Sequence, residues 1–191
     1  MDTIETQLAA LSPGGAPPVF TTAQVSYAVA ETSIGRILLA LNDSGALVMS
    51  RFTTDDQSED TALDRLGRTL SPRVLRLPGR LDEPRRQLDE FLSGTRRAFD
   101  LRTDLVMASG FQRSVLGTLA ETVGYGERAT YGALASAIHR PTAARAVGAA
   151  LGANPLCVVL PCHRVVGSSG ALTGYAGGVE AKRYLLDLEA R

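Results

Sequence analysis

Over the first hundred residues the apolar positions come in twos and in short runs. Val25, Tyr27 and Val29 alternate with smaller or polar residues, positions 37–41 are continuously apolar, and the run 47–52 follows Asn42-Asp43-Ser44-Gly45. Alternation and short apolar runs separated by a turn-forming cluster predict a three-strand antiparallel meander. Leu63, Leu66 and Leu70 then recur at helical spacing, as do Leu88, Phe91 and Leu92 ahead of Gly94. One or two helices are therefore expected to cover the sheet, with a further short strand over 99–105.

After 107–110 the pattern turns helical: Phe111, Val115, Leu119 and Val123 stand four apart. Two short helical runs follow, 131–138 and 142–151, separated by His139-Arg140-Pro141. The proline is expected to end the first and Thr142 to cap the second, a spacing that fits a helix-turn-helix. The apolar run 156–160 reads as a buried strand, Ser168-Ser169-Gly170 as a turn, 174–178 as a glycine-rich loop and 179–189 as a last helix. The fold class predicted is α+β: a small N-terminal antiparallel sheet with helices over 24–105, then a mostly helical C-terminal domain over 109–191 containing the helix-turn-helix. Ser12-Pro13-Gly14-Gly15-Ala16-Pro17-Pro18 is too rich in turn residues for a regular element, so 1–23 is read as a flexible tail.

Composition narrows the class. With 191 residues, 45% hydrophobic and 21% charged, the chain is globular rather than fibrous or disordered. Lys+Arg 20 against Asp+Glu 20 gives net zero, but residues 109–191 carry eight basic and five acidic side chains, net +3, leaving 12 − 15 = −3 for the remainder. That polarity permits a polyanionic partner on the C-terminal half. The longest uncharged stretch, 146–163, is interrupted by Asn154, Pro155 and Pro161, so no membrane span is expected. No basic residue precedes Arg36, which leaves out the charged region of a secretory signal and makes cytoplasmic location the expectation.

The candidate chemistry centres on Cys157 and Cys162. In a reducing compartment neither is expected in a disulfide, and either could be a reactive or a buried thiol. Pro161 stiffens the chain entering Cys162, and a thiol that is mostly neutral at pH 7 needs a base such as the adjacent His163. Side chains of neighbouring residues on extended chain point apart, so the pair would communicate through a bridging water or a tight turn. Taken alone, the Cys-His pair fits a buried filler thiol beside a solvated turn histidine better than it fits a nucleophile. The spacing of Cys157, Cys162, His139 and His163 is wrong for structural zinc, and neither metal nor cofactor is expected.

Pro161-Cys162-His163-Arg164-Val165 resembles the active-site signature of the O6-alkylguanine-DNA alkyltransferases. The resemblance extends through Ala143-Ala144-Arg145-Ala146-Val147-Gly148, Asn154-Pro155, Ser169-Gly170 and Gly174-Tyr175 to Glu189, covering the chain from about Phe111. The N-terminal part resembles the family's variable, ribonuclease-H-like first domain in outline. It has no cysteine, so the zinc sites of some relatives are not expected there.

The resemblance implies a DNA repair protein that flips O6-alkylguanine out of duplex DNA and transfers the alkyl group irreversibly to Cys162, once per molecule. In that scheme His163 acts as base through a water, Glu189 orients it and Asn154 holds the turn. Tyr131 donates to the guanine ring, Tyr175 walls the pocket, and Val165 and the Ala176 backbone N–H complete it. Arg145 fills the space the base leaves. Thr130, Ala143, Ala144, Ala146 and Gly148 face the DNA; small side chains let a helix about 10–12 Å across approach a minor groove about 6 Å wide. Departures from the family's pattern are Ala176 for a common Ser, Val123-Gly124 for an apolar-proline pair, Thr130 for a common Ser, and Leu151 beside the pocket; they bear on the range of alkyl groups. Cys157 aligns with an ordinary core position. The partner implied is double-stranded DNA carrying the lesion, met by a monomer. The alternatives are a non-catalytic helix-turn-helix binder of alkylated DNA or transcriptional regulator, and a thiol hydrolase using Cys162 and His163.

Overall fold

The computed structural model describes residues 24–191, so the tail expected over 1–23 lies outside the described residues. The meander is present as β1 (Val25–Thr32), β2 (Gly35–Asn42) and β3 (Leu47–Thr53). β1 and β2 pair antiparallel from Val25↔Asn42 to Thr32↔Gly35, and β2 pairs antiparallel with β3. Gly45, at φ +77°, closes the Asn42–Gly45 turn in the left-handed region that favours glycine.

Both faces of this sheet are covered, which explains the unbroken apolar run in β2. Ile37, Leu38, Leu39 and Ala40 are all 0–1% exposed. Leu38 and Ala40 pack with Ala62 and Leu66 of α1 (Asp56–Thr69), while Ile37 and Leu39 pack with Leu88 and Phe91 of α2 (Asp82–Leu92). α1 starts at a capping box, in which the Asp55 side chain accepts from Ser58 N and Ser58 Oγ meets the Asp55 N–H. A fourth strand, β4 (Val74–Arg76), runs parallel to β1, giving the order β3-β2-β1-β4. The strand expected over 99–105 does not form. That segment is extended but makes only one bridge, Leu47↔Thr103, because β3 turns its free edge to other chain further along.

The C-terminal region is built on α3 (Gly110–Thr122), α4 (Tyr131–Ala137), α5 (Ala144–Gly152) and α6 (Gly178–Glu189), with β5 (Ala129–Thr130) and β6 (Val165–Val166) as a short parallel pair. α3 starts from a Ser109–Gln112 capping box. α4 ends before the proline, at His139, whose φ of +56° lets His139 N reach Ser136 O and Arg140 N reach Ala135 O. This is the Schellman closure, with histidine in the position glycine usually fills. Thr142 does not cap α5: the N-cap is Ala143, and no side chain bonds to the helix start.

The run 156–160 is buried over Leu156–Val158 and half-buried at Val159 and Leu160, and it is not a strand. Leu156 forms a bridge to Ser50, after which the chain reverses with Val158 at φ +70°, and Leu160 N donates back to Leu156 O. Three consecutive buried residues, Leu156, Cys157 and Val158, followed by the half-buried Val159 and Leu160, reflect a turn packed between two groups of elements. Leu156 and Val158 belong to the cluster under the sheet, with Ala181 and Leu185 of α6. Val115, Leu119, Leu134, Val147 and Leu151 form a second cluster from α3, α4 and α5, and Cys162 is a member of it. Among the described residues, no helix is long and apolar enough to cross a membrane.

Candidate active site

Pro161 leads into one 3-10 turn, Cys162–Arg164, in which Arg164 N donates to Pro161 O at 3.0 Å. Cys162 is thus the first residue of a tight turn and not the end of a strand. With about three residues per turn, successive side chains leave roughly a third of a circle apart. Cys162 packs among α3–α5, and the next residue, His163, meets α6.

The thiol is 6% exposed and is held by Asn154, whose Nδ2 donates to Cys162 Sγ at 3.2 Å and to Leu160 O at 3.1 Å. Asn154 Oδ1 accepts from Leu156 N at 2.9 Å, so one amide fixes both limbs of the 154–160 turn and the sulfur. Cys157, 1% exposed, donates to Asn154 O at 3.5 Å. The neighbouring Cys157 thiol is the strongest influence lowering the Cys162 thiol, opposed by burial and reinforced by the Asn154 amide and the Lys182 charge. The same contact, with burial, pushes Cys157 well above the ordinary thiol range. Of the two sulfurs, Cys162 is the one that ionises.

His163 is wholly buried; its Nε2 lies 2.8 Å from Glu189 Oε1, and its Nδ1 has no hydrogen-bond partner. Burial lowers the imidazole below its ordinary value against the raising effect of Glu189, so the ring is neutral. Burial likewise pushes the Glu189 carboxyl up, but hydrogen bonds from His163 and Arg164 outweigh it and hold it at about 2. Nε2 must then carry the proton toward the carboxylate, leaving Nδ1 with a free lone pair. Arg164 makes a two-point contact, Nε to Glu189 Oε2 at 2.9 Å and Nη2 to Oε1 at 3.0 Å, and its Nη1 donates to Val123 O. Gly126 N also donates to Glu189 Oε2, at 3.3 Å.

Lys182, the only lysine in the chain, is 1% exposed and donates to Val165 O at 2.7 Å. Burial lowers its ammonium and the Cys162 thiolate draws it back up. With Arg164 offset by Glu189 and His163 neutral, the buried group carries one excess positive charge, which a thiolate at Cys162 cancels.

The other residues singled out in the sequence fall in three places. Tyr175 stands against the site, 6.4 Å from the His163 ring centroid and edge-on to Phe52 of β3 at 5.5 Å. Its buried hydroxyl contacts the Val158 backbone without reaching hydrogen-bond geometry. Gly177 packs so closely on Phe52 that a Cβ there would lie 2.6 Å from the ring. Tyr131 shares a 2.6 Å hydrogen bond with Thr173, tying α4 to the glycine-rich loop, and Gly148 of α5 faces its ring. Val165 is buried among the helices and reaches the site through its carbonyl, and Ala176 is exposed. Thr130 caps α4 by accepting from Ala133 N. At the start of α5, Arg145 and Ala146 are exposed, and Ala144 and the N-cap Ala143 are half-buried. Among the described residues no three His, Cys, Asp or Glu side chains group as metal ligands.

Arg164, Lys182 and Gly126 were not among the expected site residues. Arg164 lies inside the signature itself. The solitary lysine among so many arginines was the available signal for Lys182.

Residues 110–191 match the family described as 6-O-methylguanine DNA methyltransferase, DNA binding domain. The methylated-DNA–protein-cysteine methyltransferase of Mycolicibacterium paratuberculosis is 41% identical over 167 residues, 87% of this chain and 93% of the relative. The crystal structure of Mycobacterium tuberculosis OGT in complex with DNA superposes with a TM-score of 0.73 at 36% identity, covering 86% of this chain and 92% of that one. The O6-methylguanine-DNA methyltransferase of Pyrococcus kodakaraensis superposes at 0.65 with 26% identity over 87% and 99%. Likeness over most of the chain at this identity, together with a buried thiol set beside a His–Glu–Arg cluster, makes the chain a member of the methylated-DNA–protein-cysteine methyltransferase family.

Proposed function

We propose that this protein repairs O6-alkylguanine in duplex DNA by taking the alkyl group onto Cys162, once per molecule. The observation that carries the reading is the Asn154 amide on Cys162 Sγ beside the buried His163–Glu189 pair. The thiol proton passes through one water to His163 Nδ1, and Glu189 stabilises the imidazolium that forms. Sγ attacks the alkyl carbon, a carbon–sulfur bond forms and the carbon–O6 bond breaks. The electron pair withdraws into the guanine ring, where the Tyr131 hydroxyl and the Ala176 N–H meet the developing charge. The proton that left the thiol ends on guanine N1, and the thioether is permanent.

A base inside a duplex is out of reach of a buried sulfur, so the nucleotide rotates out at a cost of a few kcal/mol. Arg145 enters the space it leaves. The exposed small residues of α5, Ala146 among them, bring that helix against the minor groove, with Thr130, Ala143, Ala144 and Gly148 shaping the same face. The test is to mix the protein with a duplex carrying one O6-methylguanine, measure the intact mass and map the adduct. One methyl group on the peptide containing Cys162, saturating at one equivalent, is expected. An unmodified protein that still shifts the duplex on a gel would make it a non-catalytic lesion binder.

A further inference from the structure

Ser50 is a wholly buried serine in β3, on an edge of the four-stranded sheet and 107 positions before Cys157. Its backbone N–H donates to Pro155 O at 2.8 Å and its carbonyl accepts from Cys157 N at 2.8 Å, a parallel bridge that any residue could make. The third bond needs a hydroxyl: Ser50 Oγ donates to Cys157 O at 2.8 Å. Beyond Cys157 the chain leaves the sheet through Val158 in the left-handed region, so that carbonyl points away from any continuing strand. A buried carbonyl requires a donor, and the serine supplies it.

The limb so anchored is the one Asn154 spans. Asn154 Oδ1 accepts from Leu156 N inside the three residues Ser50 grips, and Asn154 Nδ2 ends at Leu160 O and Cys162 Sγ. Two positions along the same strand, Phe52 supports Tyr175 and fills the space against Gly177. Alternate residues of a strand share a face, so Ser50 and Phe52 are presented together.

We propose that Ser50 is a positioning residue for the transfer: its hydroxyl fixes residues 155–157, and through them holds the Asn154 amide on Cys162 Sγ. This rests on Cys162 being the reacting thiol. The sheet edge is then a working part of the site as well as its support.

The test follows carbamidomethylation of Cys162 by iodoacetamide against pH, resolved by peptide mapping, together with single-turnover methyl uptake from the damaged duplex. Ser50→Ala is expected to raise the pH midpoint of the Cys162 reaction by about one unit and slow uptake at neutral pH about tenfold. Ser50→Thr, which keeps the hydroxyl, returns both toward the starting values. Ser50→Cys, similar in size with a weak donor, falls between and serves as the second variant should Ser50→Ala fail to fold. In an Asn154→Ala background, Ser50→Ala moves the midpoint no further. An unmoved midpoint in Ser50→Ala, with or without a lower Tm, overturns the proposal, as does a full additional shift without Asn154. Because iodoacetamide needs no DNA, failure of the unaltered protein to accept a methyl group would count against the repair function and leave this assignment separately decided.

Discussion

His163 Nε2 and Glu189 Oε1 lie 2.8 Å apart with both side chains closed to solvent, although 26 positions separate them in the chain. One member is neutral and the other ionised, and each state has a consequence for acid stability. Burial sets the His163 imidazole below 6.5, so under acid the unfolded chain binds that proton first. The folded form is favoured above 6.5 and loses that advantage as pH falls through 6.5 toward the lower folded value. Glu189, at about 2 against an ordinary 4.5, adds stability present above 4.5 and lost as pH falls toward 2. Tm measured from pH 7 to 3 is expected to fall in two stages. Glu189→Gln lowers Tm and makes the second stage shallower, Asp55, Glu83 and Glu90 accounting for what is left; a slope below 4.5 unchanged in that variant would contradict the assignment.

Cys162→Ala is expected to abolish methyl uptake while leaving retention of the damaged duplex on a gel intact. Cys157→Ala keeps the reaction but removes the neighbouring thiol that most lowers Cys162. Its rate of uptake should fall at neutral pH and recover at higher pH, where the thiolate forms unaided. A pH profile identical to that of the unaltered protein would show that Cys157 is core filler alone.

Arg145 is exposed and makes no hydrogen bond or ion pair with another described residue. Arg145→Ala should therefore leave Tm within about 0.5 kcal/mol of stability. Uptake from a methylated duplex should drop at least about tenfold, since the extruded base costs a few kcal/mol and loses its replacement. Uptake from free O6-methylguanine should not change. Equal loss on both substrates would place Arg145 outside base extrusion.

Alkylation removes the charge that balances Lys182 and adds volume where Asn154 contacts Sγ. Overpacking of this kind costs about 1–3 kcal/mol, or roughly 2–4 °C for each kcal/mol in a chain of this size. Scanning calorimetry before and after one equivalent of damaged duplex should show that drop. No change in Tm would mean the turn absorbs the group without strain.

Gly126 adopts φ +77°, and a Cβ there would lie 2.9 Å from Glu189 O. Gly126→Ala combines backbone strain with a clash against backbone, and about 1–3 kcal/mol of stability should be lost together with the placement of Glu189. Urea melts and uptake rates should decline together.

Much of this was readable from residue types. Alternation over 25–29, the apolar run of β2 and the four-residue spacing of α3 lie close to the observed elements because burial on one or two faces dictates them. The Pro161–Val165 signature, Asn154 and Glu189 led to the residues that meet around the thiol. The run 156–160 misled because a largely buried turn has the same composition as a buried strand, and a β-branched residue such as Val158 gives no warning of positive φ. β4 is three residues long, one of them arginine, too short to show a period. Ser50 has no signal of its own within the run 47–52. Its role depends on a partner more than a hundred residues away, and no local pattern carries that information.

The pairing of Ser50 with residues 155–157 also bears on how the chain is made. During synthesis β3 emerges long before the segment that seals its edge, and an unpaired edge strand is a template for association with other chains. Contacts this distant in sequence are slow to close, because the entropy of a long loop is lost before the bonds return it. Closure of the thiol pocket therefore waits on a contact distant in sequence, and a chain stopped before Pro155 lacks both the cover for the β3 edge and the part of the sheet's core supplied by Leu156, Val158, Ala181 and Leu185.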